Sequence, residues 1–351
     1  MTQEPDHSQD AEEQGLTEDT LVLDFLAQAG VTERLNRPGT QDVAINRPFE
    51  IWVDGPDGWV REDAPWLTYS LCWRLANALC ALNYRVLAPH SPIHTVELPG
   101  GERGQIVMAP ACQKGTLSMT FRKPSLQRFT HKDYVNSGRY DRAQAIASPI
   151  LTLKAWQRDM QEAHAARDWD RFMEIAVAHR QNIIVFGGPG SGKTTYGKSL
   201  IDLFPAHRRM VTIQEILEDT LPFHPNHVHL LYGHVVAPKA LVASALRMKP
   251  DHLFLAELTG DEVWHFIEIL NTGTKGTVTT AHANDSEAGY ARVCGLVKQS
   301  EVGKGLDYAY IERLVRTSFD VVVYMEKTDI LEVHYEPEHK LALLNGQRQR
   351  R

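Results

Sequence analysis

The stretch Gly187-Gly188-Pro189-Gly190-Ser191-Gly192-Lys193-Thr194-Thr195 fits the pattern G-x-x-x-x-G-K-[ST]. It lies between a predicted strand, Ile183–Phe186, and a predicted helix, the setting that gives such a match its meaning. Small residues let backbone N–H groups turn inward around phosphate oxygens, and the helix that follows offers the same anion its positive N-terminal end. On this reading Gly188 to Thr195 form the cofactor-binding loop. Lys193 reaches the β- and γ-phosphates of a nucleoside triphosphate, and the Thr194 hydroxyl ligates Mg²⁺. Such a site needs a second, acidic position to hold metal or orient water. The run Leu253-Phe254-Leu255-Ala256-Glu257 reads as a buried strand ending in a carboxylate, which puts Glu257 at the strand edge where ligands bind in sheets of this kind.

Around the loop, strands and helices alternate: a helical region over 153–181 with a break, strand 182–186, the glycine-rich turn, a helix, then strands at 210–214, 253–257 and 277–281. That rhythm implies a mostly parallel sheet covered on both faces. Upstream the pattern differs. Short alternating segments at 42–46 and 50–53, a turn signal at Asp57-Gly58 and strand-like runs at 94–98, 105–109 and 116–122 surround Leu67, Leu71, Leu75, Leu79 and Leu82. Those leucines recur at helical spacing and predict a helix over 65–82 lying on the sheet. The fold class is therefore α/β: an N-terminal α+β domain over 16–135, a linker rich in small and polar residues over 136–150, and a P-loop NTPase domain over 151–345. An acidic tail at 1–15 is expected to be disordered, a helix is expected from Thr17, and a basic tail closes the sequence at 346–351.

The chain has 351 residues, with 37 Lys and Arg against 44 Asp and Glu. The whole imbalance sits in the first twenty residues, where Glu4, Asp6, Asp10, Glu12, Glu13, Glu18 and Asp19 meet no Lys or Arg. A balanced remainder argues against holding duplex nucleic acid by bulk phosphate neutralisation. No apolar stretch approaches the roughly 20 residues that span a bilayer, and the acidic start lacks the features of a signal peptide. A cytoplasmic protein is expected. Cys72, Cys80, Cys112 and Cys294 show no ligand spacing and read as reduced packing residues.

Four segments in fixed order, GGPGSGKTT, TIQEILEDTLP (212–222), LRMKPDHLFLAELTGDE (246–262) and NTGTKGTVTTAHAND (271–285), closely resemble the secretion (traffic) ATPases. Within these the chain is most similar to the VirB-type hexameric ATPases of type IV secretion and plasmid conjugation. VELPGGERGQIVMAP (96–110) and GTLSMTFRKPS (115–125) extend the resemblance into the first domain. It implies a RecA-like C-terminal domain and ATP and Mg²⁺ as cofactors. It implies Mg-dependent ATP hydrolysis by a ring that powers pilus assembly or translocation of DNA or protein. Carried onto this sequence, it makes Lys193 and Thr194 the phosphate and Mg²⁺ residues and Glu257 the Walker B-like carboxylate, holding Mg²⁺ directly or through water. Glu218 falls in the acidic box that orients water or metal, and His282 in the box that senses the γ-phosphate. Arg122 and Arg142 match the arginines that close over the nucleotide. The implied partners are five further copies in a homo-hexamer, the machine's other ATPases and its inner-membrane components, with no sequence-specific nucleic-acid binding. The implied place is the cytoplasm, peripheral at the inner membrane.

The sequence departs from that family's pattern at Gln214-Glu215, where an acidic pair is usual, and at Thr259 and Lys249, where arginines are usual. It departs again at Thr274, which replaces a histidine. Thr cannot imitate a permanently charged planar fork, so a nucleotide-gated docking scaffold with negligible turnover stands as the alternative. A P-loop kinase is disfavoured because no acceptor lid or base motif is evident. The group His224, His227, His229 and His234 suggests a metal site, yet no Cys or carboxylate set completes one.

Overall fold

The computed structural model describes residues 19–124, 128–143, 145, 152–218 and 220–345. The expected acidic tail 1–15, the helix start at Thr17, linker positions 144 and 146–150, and the basic tail 346–351 lie outside the described residues. The chain forms two compact units, one of residues 1–123 with 205–256 and one of 124–204 with 257–351.

The first unit carries two sheets. Strands β1 (Asp42–Ile45), β2 (Glu50–Gly55), β3 (Gly58–Asp63), β4 (Ile93–Glu97), β5 (Arg103–Met108) and β6 (Leu117–Arg122) form an antiparallel sheet in the order β3-β2-β1-β6-β5-β4. The β2–β3 hairpin closes on Pro56-Asp57, with Gly58 at φ 87°, so the turn falls one residue ahead of the Asp-Gly signal. Only glycine enters that left-handed region freely. The helix Tyr69–Leu82 presents Leu71, Leu75 and Leu79 to a core shared with Val43, Ile51, Met119 and Phe121. It begins four residues later than its leucine spacing suggests, because the Thr68 hydroxyl accepts from Leu71 N at 3.3 Å and caps it there.

Strands β8 (Met210–Gln214), β9 (His227–Leu231) and β10 (His252–Leu255) make the unit's second sheet, parallel and ordered β10-β8-β9. Its edge meets the main chain of Ala111–Gln113, where Leu231 N donates to Ala111 O at 2.9 Å and Gln113 N to His229 O at 3.2 Å. Beneath this junction Arg209 is fully buried. Its guanidinium donates to Asn46 Oδ1 and Asn226 Oδ1, both at 2.7 Å, to Met248 O at 2.8 Å and to Thr120 Oγ1 at 3.2 Å. A buried cation is tolerated when its donors are matched in this way. Burial still pushes its pKa down to about 10.

The second unit holds β7 (Ile183–Gly187), β11 (Val278–Ala281), β12 (Val321–Glu326) and β13 (Asp329–His334), ordered β11-β7-β12-β13. The first two pairings are parallel, and β13 returns antiparallel at the edge. β7, fully buried, reads as the continuous apolar run of a parallel strand covered on both sides. The helical region before it divides into Ala155–Ala166 and Trp169–Ala178. Arg167 at φ 56° ends the first helix, and the Asp168 carboxylate caps the second at Arg171 N. Helices His131–Asn136, Lys193–Ile201, Glu262–Leu270, Ser286–Gln299, Tyr308–Ser318 and Pro337–Leu344, with a 3₁₀ turn at Gly303–Gly305, complete the unit among the described residues. Among the described residues no helix is long and apolar enough to cross a membrane.

Candidate functional site

The phosphate-loop sequence departs from the C-terminal end of β7, turns through Gly190 at φ 72° and Gly192 at φ 85°, and enters the helix Lys193–Ile201 directly. Added Cβ atoms on Gly188 or Gly190 would meet nothing within 4 Å, so the loop borders open space. Gly187 is different: a Cβ there would lie 2.5 Å from Met325 O and from Ser191 Oγ. The Ser191 hydroxyl is buried with no hydrogen-bond partner. An orphaned donor and open glycine faces at a helix N-terminus are what a bound polyphosphate needs, and the residues present fit that group.

Lys193 is buried, and its Nζ donates to Gly188 O at 2.8 Å. Burial lowers its pKa from the ordinary lysine value, while the Glu257 charge works the other way. The same Nζ lies 3.3 Å from His282 Nδ1, and His282 Nε2 lies 2.9 Å from Glu257 Oε1. With its proton on Nε2 the ring donates to the carboxylate and accepts from the lysine at Nδ1, which also lies 3.3 Å from Gly187 O. The backbone sets this row. Ala281 ends β11 beside Phe186 of β7, and Glu257 forms a parallel bridge with Thr280, secured by Leu258 N to Thr280 O at 2.8 Å. Three side chains from three sequence motifs thus meet above the loop. Thr194 and Thr195 are exposed at the helix start, and Arg142 is exposed in the same unit.

Glu218 and Arg122 belong to the first unit. Glu218 is exposed, and its backbone N–H donates to Gln214 Oε1 at 2.9 Å. Gln214 also donates from Nε2 to Thr212 Oγ1 at 2.9 Å, so the glutamine that replaces an acid fastens the acidic loop to the end of β8. Arg122, at the end of β6, donates from Nε to Asp42 Oδ1. The other oxygen of Asp42 takes Lys249 Nζ at 2.8 Å, and Lys249 also pairs with Asp54. Asp42 went unread in the sequence; an acid opening a buried strand was its only signal. Thr259 has a local task of its own. Its N–H and hydroxyl donate to Glu262 Oε1 at 2.9 and 3.2 Å, closing the turn into the helix Glu262–Leu270.

Histidines 224, 227, 229 and 234 lie in the first unit, and protein groups hold His227 and His229. His227 Nδ1 is 2.6 Å from His224 O, with Nε2 3.1 Å from Arg47 Nη1, and His229 Nδ1 is 2.8 Å from Thr212 Oγ1. Burial, followed by the nearby positive charge of Arg47, pushes the pKa of His227 down to about 4. Burial and the neighbouring His227 and Arg47 take His229 to about 3.

A protein-family model described as "Type II/IV secretion system protein" matches residues 150–337. The chain is 31% identical over 349 residues to the type IV secretion system protein VirB11 of Bartonella henselae, covering 94% of this chain and 98% of that protein. It is 35% identical over 324 residues to VirB11 of Brucella suis biovar 1, covering 88% and 89%. The crystal structure of the VirB11 ATPase from the Brucella suis type IV secretion system, in complex with sulphate, superposes with a TM-score of 0.90 at 34% identity, covering 95% of this chain and 99% of that one.

Proposed function

This chain belongs to the type II/IV secretion system protein family and, within it, to the VirB11 ATPases, and from that premise we propose that it hydrolyses ATP to ADP and phosphate to power a type IV secretion or conjugation machine. The observation that carries the reading is the row Lys193–His282–Glu257 standing over the glycine loop. A cation for the phosphates and a carboxylate for metal or water, joined through an imidazole, suit phosphoryl transfer to water, where positioning and charge neutralisation supply most of the catalysis.

Thr194 and Glu257 are the residues that would hold Mg²⁺, which when bound neutralises charge on the β- and γ-phosphates. The loop N–H groups and the Ser191 hydroxyl bind phosphate oxygens, and Lys193 adds the fixed positive charge. Glu218 orients the attacking water and accepts its proton. His282 stands between the lysine that feels the γ-phosphate and the carboxylate, so loss of that phosphate alters both of its hydrogen bonds. Arg122 and Arg142 neutralise charge in the transition state. The working form is a homo-hexamer at the cytoplasmic face of the inner membrane, alongside the machine's other ATPases, and the domains follow residues 16–135 and 151–345 with a linker at 136–150.

The test is steady-state phosphate release by wild type, Lys193→Ala and Glu218→Gln, each sized by mass photometry with and without Mg-ATP. Turnover by a hexamer, lost in Lys193→Ala and strongly reduced in Glu218→Gln, supports the motor. A ring that assembles on ATP with phosphate release no higher than Lys193→Ala overturns it in favour of a nucleotide-gated scaffold, and the threonines at 259 and 274 then become the cause to examine.

A further inference from the structure

Asp54, Asp42, Arg122 and Arg103 stand side by side across β2, β1, β6 and β5, because Asp42 is the register partner of Asp54 and of Arg122, and Arg122 is that of Arg103. Residues directly opposite share a face of the sheet, so two acids and then two arginines form one row. The acid side chains are only 1% and 10% exposed, and one lysine from outside this sheet reaches both. Lys249 Nζ lies 2.8 Å from Asp42 Oδ2, pairs with Asp54 and donates to Gln41 Oε1 at 3.2 Å. We propose that Lys249 is a positioning residue for the reaction: by filling the second oxygen of Asp42 it limits Arg122 to a contact through one nitrogen, which keeps the arginine's charge free for the nucleotide phosphates. The inference rests on the reading of Arg122 given above and adds what controls that arginine.

A guanidinium that faces two free carboxylate oxygens takes both, through two parallel N–H bonds. Asp42 offers Arg122 only Oδ1, which accepts from Nε at 2.9 Å, because the other oxygen belongs to Lys249. The two terminal nitrogens of Arg122 meet no acceptor among the described residues, and its side chain is 50% exposed. On its other side stands Arg103, and like charges directly opposite on neighbouring strands repel. Arg122 is therefore held by one bond and pushed from behind.

Lys249 is fixed more firmly. Its backbone lies in the left-handed region at φ 53°, which a residue other than glycine keeps only where its surroundings determine it. Its ammonium lies 5.9 Å from the centre of the Trp59 ring, which the Arg209 guanidinium meets at 4.9 Å. Burial works against its charge, yet hydrogen bonds to Asp42 and Asp54 hold its pKa above the ordinary lysine value. Without that charge two adjacent buried carboxylates lose the counterion they share, and Arg122 is drawn in over both oxygens of Asp42. Its charge is then committed before any nucleotide arrives.

The experiment follows the full chain as wild type, Arg122→Ala, Lys249→Met, Arg122→Ala/Lys249→Met and Lys249→Arg, by urea midpoint and by steady-state phosphate release. Arg122→Ala is expected to lower the midpoint more in the Lys249→Met background than in wild type, since the arginine there holds Asp42 with two bonds. Lys249→Met is expected to lower kcat about tenfold, the equivalent of one more charge-assisted hydrogen bond to break, with KM for Mg-ATP near the wild-type value. The double variant is expected to turn over no more slowly than Arg122→Ala, because Lys249 acts through Arg122. Lys249→Arg, which keeps a cation, is expected to keep the wild-type kcat. If Lys249→Met does not fold, Lys249→Gln, which keeps a donor without the charge, takes its place in the series. An Arg122→Ala cost that is equal in both backgrounds overturns the proposal alone. So does a wild-type kcat in Lys249→Met, or a loss that recurs in full without Arg122. Full turnover by Arg122→Ala, or none by wild type, overturns the reading of Arg122 and this inference together.

Discussion

Arg122 donates from Nε to Asp42 Oδ1 at 2.9 Å, and that carboxylate is 1% exposed while the arginine is half in water. The acid is the fixed partner and the arginine the adjustable one. Because Lys249 occupies the second oxygen of Asp42, Asp42→Ala leaves two cations facing one another without their shared counterion. The expected cost is about 2–3 kcal/mol in urea unfolding, the range for breaking a partly buried charge pair from one side. Arg122→Ala is expected to cost less than about 1 kcal/mol, since an exposed partner contributes little to stability, while lowering phosphate release. Equal destabilisation by the two variants would show that Asp42 is no more an anchor than Arg122.

The charge on Lys193 is opposed by burial and supported by Glu257. Glu257→Gln removes the support, so the lysine loses its proton at a lower pH than in wild type. Mg-ADP binding, which uses the protonated lysine, is then expected to fall away earlier as pH rises through the alkaline range. Affinity measured from pH 7 to 10 in both proteins checks this. An alkaline limb that does not move, or moves upward, means that Glu257 does not act on the lysine.

The loop's glycines are not equivalent. Gly187→Ala drives a methyl into a backbone carbonyl, Met325 O at 2.5 Å, and backbone cannot rotate away. Gly190→Ala meets no atom and suffers only a left-handed φ of 72°, a cost of about 1–2 kcal/mol. Thermal denaturation is expected to rank Gly187→Ala well below Gly190→Ala, which folds. The reverse order would mean that the loop opens freely between β7 and β12.

How far the sequence could be read follows the range of each signal. Lys193 and its helix were legible because the glycine pattern is local and its flanks are periodic. The helix Tyr69–Leu82 was visible in its leucine spacing, but its start was not, because Thr68 caps by a single side-chain contact. Glu257 could be named from its own strand pattern, and His282 only through the family resemblance. Their hydrogen bond through the imidazole to Lys193 depends on β11 lying beside β7, a pairing of residues almost a hundred positions apart. Arg209 gave no signal at all: a basic pair before a strand reads as surface until Asn46, Thr120 and Asn226 are brought around it.

The buried histidines make stability depend on pH with a definite sign. His229 titrates at about 3 and His227 at about 4 in the folded chain, against 6.5 for a free imidazole. Below pH 6.5 the unfolded chain takes up protons that the folded chain refuses, so unfolding is drawn forward as pH falls. Their contribution is complete above pH 6.5 and is lost progressively on the way down to pH 3. At pH 5, one and a half pH units into the window, each histidine is expected to have removed about 2 kcal/mol. Urea midpoints at pH 7.5 and 5 measure the loss. His229→Asn keeps an acceptor for the Thr212 hydroxyl yet cannot titrate there, so it is expected to recover about half of the pH dependence assigned to the pair. If the variant's midpoint still falls as steeply as the wild type's, His229 is not a source of acid sensitivity, and protonation must enter at other groups of the chain.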